Sequence, residues 1–244
     1  KTNVIAPPSP GGLISAYFNG SALPPGSVIL DLPDPSHPSA PLRPIQFNAA
    51  YLNENALRTS GVDVELRYNQ DFGAFNWASD FNGTKIMTWC ETLSAGGACI
   101  PMVGTQGPYV LSSGAGTPKF RWNWANTLTF GPASVTATVY WVSRFNMTTP
   151  DVLPVGTCLS TATTGPNVGA NVPPDCGVPA FYYVDLTGNY KINDSLMLTA
   201  GILNLTNKSA PFDPIDYAGN NYNPTYHQSG AVGRFYQVGL QVSF

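Results

Sequence analysis

The eight residues Gln237-Val238-Gly239-Leu240-Gln241-Val242-Ser243-Phe244 decide how the rest of the chain is read. Counting from Tyr236, the positions Tyr236, Val238, Leu240, Val242 and Phe244 are apolar, and the residues between them are polar or small. A period of two sends successive side chains to opposite faces, so this is a strand with one oily and one wet side. Such a strand belongs either to the edge of a soluble β-sandwich or to the wall of a transmembrane β-barrel.

The alternation recurs from Gly61 onward. Val62, Val64, Leu66 and Tyr68 alternate with Asp63, Glu65, Arg67 and Asn69. After a tight turn at Asp71-Phe72-Gly73, Phe75, Trp77 and Phe81 oppose Asn76, Asp80 and Asn82. Phe120, Trp122, Trp124, Leu128 and Phe130 oppose Lys119, Arg121, Asn123, Thr127 and Thr129, with a turn at Gly131-Pro132. Val135, Ala137, Val139 and Trp141 then face away from Ser134, Thr136, Thr138 and Tyr140. Tyr182, Val184, Leu186 and Tyr190 oppose Asp185, Thr187 and Asn189, and after a turn at Ile192-Asn193-Asp194 come Leu196, Leu198, Ala200 and Ile202. The final strand starts near Gly233.

Periodicity does not separate sandwich from barrel, but composition and connections do. Charged residues make up 10% of the chain, against roughly a quarter in ordinary soluble domains. No run approaches the roughly 18 apolar residues of a membrane helix. A barrel meets both conditions, because its apolar residues sit on alternate positions. The connections at 70–74, 131–133 and 191–195 are short, whereas those at 90–117, 146–179 and 206–232 run to about thirty residues, beyond the roughly 12 to 15 usual in compact domains. Short turns at one end and long loops at the other fit a bacterial outer-membrane barrel. Trp122, Trp124, Trp141, Tyr182 and Tyr190 lie toward strand ends, the place of interfacial aromatic belts.

A formal net charge of -3 with scattered cations gives nucleic acid no footing. The chain opens Lys1-Thr2-Asn3-Val4 without a secretory signal, which reads as a processed or partial product. The four cysteines fall in two local pairs, Cys90 with Cys99 and Cys158 with Cys176, in Gly, Pro, Ser and Thr-rich segments. His37 and His227 lie far from both pairs, so loop disulfides in an oxidising compartment are expected rather than a metal site. Three connectivities are open to four cysteines, and short closure favours the local one.

Three motifs carry a family resemblance. The segment Asn53 to Leu66, with Ser60-Gly61-Val62-Asp63 before an alternating strand, resembles the strand-opening motif of TonB-dependent outer-membrane transporters. Gly201-Ile202-Leu203-Asn204-Leu205-Thr206-Asn207-Lys208 is similar to that family's Asn-Leu-Phe/Thr-Asp/Asn-Lys motif, and Gly233-Arg234 resembles the pair that opens its last strand. Gln237, Gly239, Val242 and Phe244 resemble the C-terminal signal read by the barrel-assembly machinery of Gram-negative bacteria. The resemblance covers residues 45 to 244. It implies an all-β fold, an antiparallel transmembrane barrel of 22 strands in the family, to which this chain contributes about seven.

The expected organisation is an extracellular loop and strand stub over 1–45, the stub at Asn3 to Ile5, followed by barrel strands over 46–244. Gln46 to Asn69 is expected as one long strand bulged around Glu54. The resemblance further implies a location in the cell outer membrane and a lipid bilayer around the wall. It also implies a small-molecule ligand and energy supplied by TonB through a plug domain that these residues do not contain. Since an open sheet in lipid leaves edge groups unsatisfied, the chain is expected to be part of a larger transporter.

The function so implied is active uptake of a scarce solute such as a siderophore, a cobalamin-like molecule or an oligosaccharide. In the third long loop Tyr217, Asn220, Asn221, Tyr222, Asn223, Tyr226 and His227 combine rings and amides suited to stacking and hydrogen bonding. Tyr217, Asn221, Tyr222, Tyr226 and His227 are the ligand-binding candidates, although the same residues also serve simply to order a long loop. The rivals are a passive outer-membrane pore and a secreted glycan-binding β-sandwich. No nucleophile elbow, phosphate loop or metal-ligand set is present, so no enzyme, catalytic residue, cofactor or metal is expected. Asp63 and Glu65 suit a wet wall as well as an acid/base pair.

Overall fold

The computed structural model describes all residues except 1, 7–9, 24, 49–51, 93–96, 109–115, 152–153, 159–168, 170, 172–173, 212, 214–224, 226–231 and 244, with the backbone alone at 2–6, 10–12, 15 and 52–55. The described elements are β1 (Thr2–Ala6), α1 (Pro10–Phe18), β2 (Val28–Leu30), β3 (Pro44–Phe47), β4 (Leu52–Asp71), β5 (Asn76–Thr92), β6 (Ile100–Pro101), β7 (Phe120–Phe130) and β8 (Ala133–Val142). They continue with β9 (Phe145–Asn146), β10 (Gly177–Val178), β11 (Phe181–Asn193), β12 (Leu196–Leu203) and β13 (Phe235–Val242). The main sheet runs β1-β4-β5-β7-β8-β11-β12-β13, with β6 beside β5. Every pairing in it is antiparallel and follows chain order, so from β4 onward the sheet is an up-and-down meander. No helix among the described residues is long and apolar enough to cross a membrane, a test that does not bear on strands.

Register places the apolar positions of seven strands on a single face. In an antiparallel pair, residues directly opposite each other point the same way. Leu66 faces Phe81, Phe81 faces Trp124, Trp124 faces Val139 and Val139 faces Val184. The row on one side of it joins Trp122, Trp141 and Tyr182, and in the row on the other side Leu186 pairs with Ile202 and Ile202 with Tyr236. Two polar residues break the row, Ser79 and Asn126, and they lie opposite each other. Each is matched by an indole: Trp124 Nε1 donates to Ser79 Oγ at 2.9 Å and Trp77 Nε1 donates to Asn126 Oδ1 at 3.2 Å. Indole donors thus absorb the hydrogen-bonding demand that the oily side would otherwise leave unmet.

No second layer among the described residues covers this face. Leu66 keeps 60% of its surface exposed, Leu240 61% and Val238 79%, and even Phe120 keeps 37%. A sandwich would bury these side chains between two sheets.

The opposite face carries Asp63, Glu65, Asp80 and Asp185 with Thr84, Thr127, Thr138, Asn82 and Asn123. Thr84 Oγ1 donates to Asp63 Oδ1 at 2.7 Å, and Arg67 reaches both Glu65 and Asp80, the latter at 3.3 Å. The hydroxyls of Thr127 and Thr136 share a hydrogen bond at 2.8 Å. These are ladders for a hydrated surface.

The turns follow local side-chain chemistry. Gly73 N–H donates to Asp71 Oδ1 at 2.7 Å and Ser195 N–H to Asn193 Oδ1 at 2.9 Å, so the first and last of the short turns are each closed by an Asx side chain two residues back. The second is tighter than expected, since β11 runs through Ile192 and Asn193 and leaves Asp194 and Ser195 as the turn. Strands β7 and β8, of 11 and 10 residues, match the roughly 9 to 11 that cross a bilayer. At 20 and 17 residues β4 and β5 exceed that span and project beyond it at the long-loop end.

Three expectations are corrected. The long strand does not reach back to Gln46: β3 pairs with β2 in a separate hairpin, and β4 begins at Leu52. Its register slips at Ser60/Gly61 rather than around Glu54, because Ser60 opposes Thr88 while Gly61 opposes Ile86, two steps of β5 against one of β4. A Cβ on Gly61 would sit 2.7 Å from the Lys85 carbonyl oxygen, so glycine alone tolerates this approach. Residues 1–44 are also not all loop. The expected strand stub is present as β1, paired with β4, but a helix, with proline at its first position, and the first strand of the β2–β3 hairpin lie there too.

Candidate functional site

The long connections are knitted together on the polar face at one end of the sheet. Tyr140, Val142, Phe181 and Tyr183 have polar-face parity, and there they build an apolar cluster with Phe145, Met147, Cys176, Val178 and Ala210. Met102 N–H donates to the Trp89 carbonyl at 2.8 Å, bringing the first long loop back onto β5. Gln106 N–H donates to the Thr148 carbonyl at 2.9 Å, joining the first loop to the second. Gly116 N–H donates to Thr225 Oγ1 at 2.7 Å, joining the first to the third. The result is one cap in which Glu91, Gln106, Asn204, Asp213 and Thr225 are all buried.

Both disulfides belong to this end. Cys90 is bonded to Cys99 and Cys158 to Cys176, with Cα separations of 5.4 and 5.8 Å, the local pairing that spacing favoured. Cys176 sits inside the apolar cluster, so the second bridge ties its loop directly to the cap. Beside it a cleft of about 330 Å³ opens between Trp141, Arg144, Asp175, Pro179 and Ala180. Arg144 and Asp175 are paired at 2.9 Å. The Gly177 N–H, and then the Arg144 guanidinium, hold the Asp175 carboxyl below the ordinary carboxylate range.

The turn after β12 explains why its motif reads as it does. Asn204 adopts φ 49°, a left-handed conformation that asparagine tolerates better than most residues. Its side chain closes the turn from both sides, donating to the Lys208 carbonyl at 2.8 Å and accepting from the Lys208 N–H at 2.9 Å. Its own N–H donates to Asp185 Oδ1 at 2.7 Å. Asn207, at φ 51°, accepts from the Arg234 N–H at 2.9 Å, beside Gly233 at φ 80°. The two motifs, joined through residues 27 positions apart in the chain, are thus one hydrogen-bonded junction. The residue types were legible, but their joint purpose was not.

Of the expected site residues, Gln237 pairs with Gly201, Gly239 with Thr199 and Val242 with Leu196 along the last ladder. Phe244 lies outside the described residues, as do Tyr217, Asn221, Tyr222, Tyr226 and His227. Sequence reasoning missed the burial of Glu91, Gln106, Asp213 and Thr225, because each is enclosed by contacts distant in the chain. Among the described residues no group of histidine, cysteine, aspartate or glutamate side chains could hold a metal ion.

Taken together, the meander, the continuous apolar face and the loop cap define a segment of an up-and-down antiparallel β-barrel wall. Among solved structures it is similar to the ferric enterobactin receptor of Pseudomonas aeruginosa, as a mutant protein, with 18% identity and a TM-score of 0.49 over 82% of this chain and 24% of that one. It is also similar to the copper transporter OprC, with 15% identity and a TM-score of 0.43 over 80% of this chain and 25% of that one. A third is the siderophore receptor PiuA of Acinetobacter baumannii, with 16% identity and a TM-score of 0.34 over 64% of this chain and 19% of that one. The chain spans 24% of the length of the first of these. No family model and no curated protein matches the sequence.

Proposed function

We propose that the main sheet, β1 together with its strands from β4 to β13, forms part of the wall of a TonB-dependent outer-membrane transporter that takes up a scarce solute such as a siderophore, a cobalamin-like molecule or an oligosaccharide. One observation carries the reading: an apolar face continuous over seven strands has no covering layer among the described residues, while the opposite face is lined by charge and hydroxyl groups. Hydrocarbon outside and water inside satisfy both faces at once. In the resulting orientation the short turns are periplasmic, and the loop cap with its disulfides faces the medium.

The outer edges of β1 and β13 have no partner strand among the described residues. Each unpaired backbone group held in lipid costs several kcal/mol, so strands beyond this chain close the barrel. A plug within them couples to TonB. The barrel-assembly machinery reads Gln237, Gly239, Val242 and Phe244, and Tyr217, Asn221, Tyr222, Tyr226 and His227 offer stacking and hydrogen bonds to solute caught by the loops. Fractionation of a Gram-negative host expressing the full-length protein tests the class. The expected product sits in the outer membrane, needs detergent for release and migrates faster on gels before boiling than after. A product soluble without detergent contradicts the proposal, and uptake that persists without TonB restores the passive pore.

A further inference from the structure

Several cations on or beside the main sheet fall into two groups by what they touch. On the polar face Arg67 is paired with Glu65 and Asp80, and at the periplasmic turn Lys191 is paired with Asp194 at 2.8 Å. Lys85, Lys208 and Arg234 have no carboxylate partner among the described residues; the two lysines lie over aromatic rings and Arg234 reaches a tyrosine hydroxyl. The Lys208 ammonium sits 3.4 Å from the Tyr182 ring centroid and the Lys85 ammonium 5.4 Å from that of Phe120. Arg234 Nη1 donates to the Tyr236 hydroxyl at 3.4 Å. All three rings belong to the apolar face, at the loop end of their strands.

The junction after β12 positions two of the three. Asn204 fixes the Lys208 backbone and Asn207 fixes the Arg234 backbone, so the motif that shapes the turn also delivers two cations to one rim. Among the described strand residues Asp63, Glu65, Asp80 and Asp185 all have the opposite parity. Arg144, at the same end, is already neutralised by Asp175. A cation over a ring keeps its remaining N–H donors free for an anion.

We propose that Lys85, Lys208 and Arg234 form a rim on the lipid-facing side of the wall that binds the phosphate of anionic lipids in the adjoining leaflet. The rings set each charge at headgroup depth, and the phosphate supplies the counter-charge that the chain withholds. The proposal rests on the outer-membrane reading. The full-length protein is reconstituted in phosphatidylcholine vesicles containing nitroxide-labelled phosphatidic acid or, in parallel, nitroxide-labelled phosphatidylcholine, and the motionally restricted fraction is read by electron paramagnetic resonance. Phosphatidic acid is expected to be preferred by about fivefold for each cation, with the preference falling as salt rises.

The combined variant K85Q/K208Q/R234Q is expected to bring the two lipids to parity, while K85R/K208R/R234K keeps the preference. Protease protection in the same samples reports insertion. Inserted wild-type protein that shows no preference, a preference untouched by salt, or one that survives in the glutamine variant overturns this proposal alone. Failure of the wild type to insert overturns the outer-membrane reading with it.

Discussion

The two faces of the main sheet share a backbone and differ in everything else. On one, Leu66, Phe81, Trp124, Val139 and Val184 form a row that nothing in the described chain covers. On the other, the ladders near the short turns are open to water, and near the long loops the same face is sealed by the cap around Phe145 and Tyr183. A soluble protein buries its oily side and wets its polar side. Here burial falls on the polar face and exposure on the apolar one, an inversion that has a physical rationale only if the surrounding solvent is hydrocarbon.

The sharpest way to break this comparison is to put one charge on adjacent residues of β8. Val139 lies on the apolar face between Trp124 and Val184, and Thr138 lies on the polar face between Ala125 and Asp185. V139R is expected to cost about 2–4 kcal/mol in urea unfolding from vesicles, the toll of a cation near the bilayer midplane. T138R, one residue away and beside a carboxylate, is expected to stay within about 0.5 kcal/mol of wild type. Equal costs at both positions remove the distinction between the faces.

A smaller effect tests the junction where wall meets cap. N204A deletes both side-chain hydrogen bonds to Lys208 and places alanine at a left-handed φ, for an expected loss of about 1–3 kcal/mol by the same unfolding measurement. N204G keeps the backbone at ease and should recover part of that loss. No recovery means that the hydrogen bonds carry the whole effect.

The smallest expected effect lies outside the wall, in the β2–β3 hairpin. The Arg43 N–H, followed by the Arg43 side chain, lowers the Asp31 pKa below its ordinary 3.8. Because the folded value is the lower one, the pair's contribution is complete above 3.8 and fades as pH drops through the folded value. Amide exchange in 28–47 should accelerate only under strongly acid conditions. D31N should remove that dependence while leaving exchange in β7 and β8 as it was.

How much of this was legible in the sequence follows from how far each signal reaches. From Gly61 onward the alternation is local, and register then carries it from strand to strand, so both faces could be assigned before any pairing was known. Residues 1–44 lack that period, and their helix and hairpin went unseen. The slip at Ser60/Gly61 was beyond reach because its cause, the Lys85 carbonyl, lies on the neighbouring strand. The cap escaped for the same reason: nothing near Gln106 in the chain announces Thr148, and nothing near Gly116 announces Thr225. The cysteine pairs were readable because closure is short, and the asparagines of the junction because their type suits a left-handed turn.

The central claim is tested most directly by a nitroxide scan along β8, one label at a time from Ala133 to Val142, in the full-length protein reconstituted in lipid vesicles. Accessibility to oxygen, which partitions into hydrocarbon, is predicted to peak at 135, 137 and 139, while accessibility to a water-soluble nickel chelate peaks at 134, 136 and 138. Two profiles that rise and fall together, or oxygen maxima on the threonine side, contradict the account.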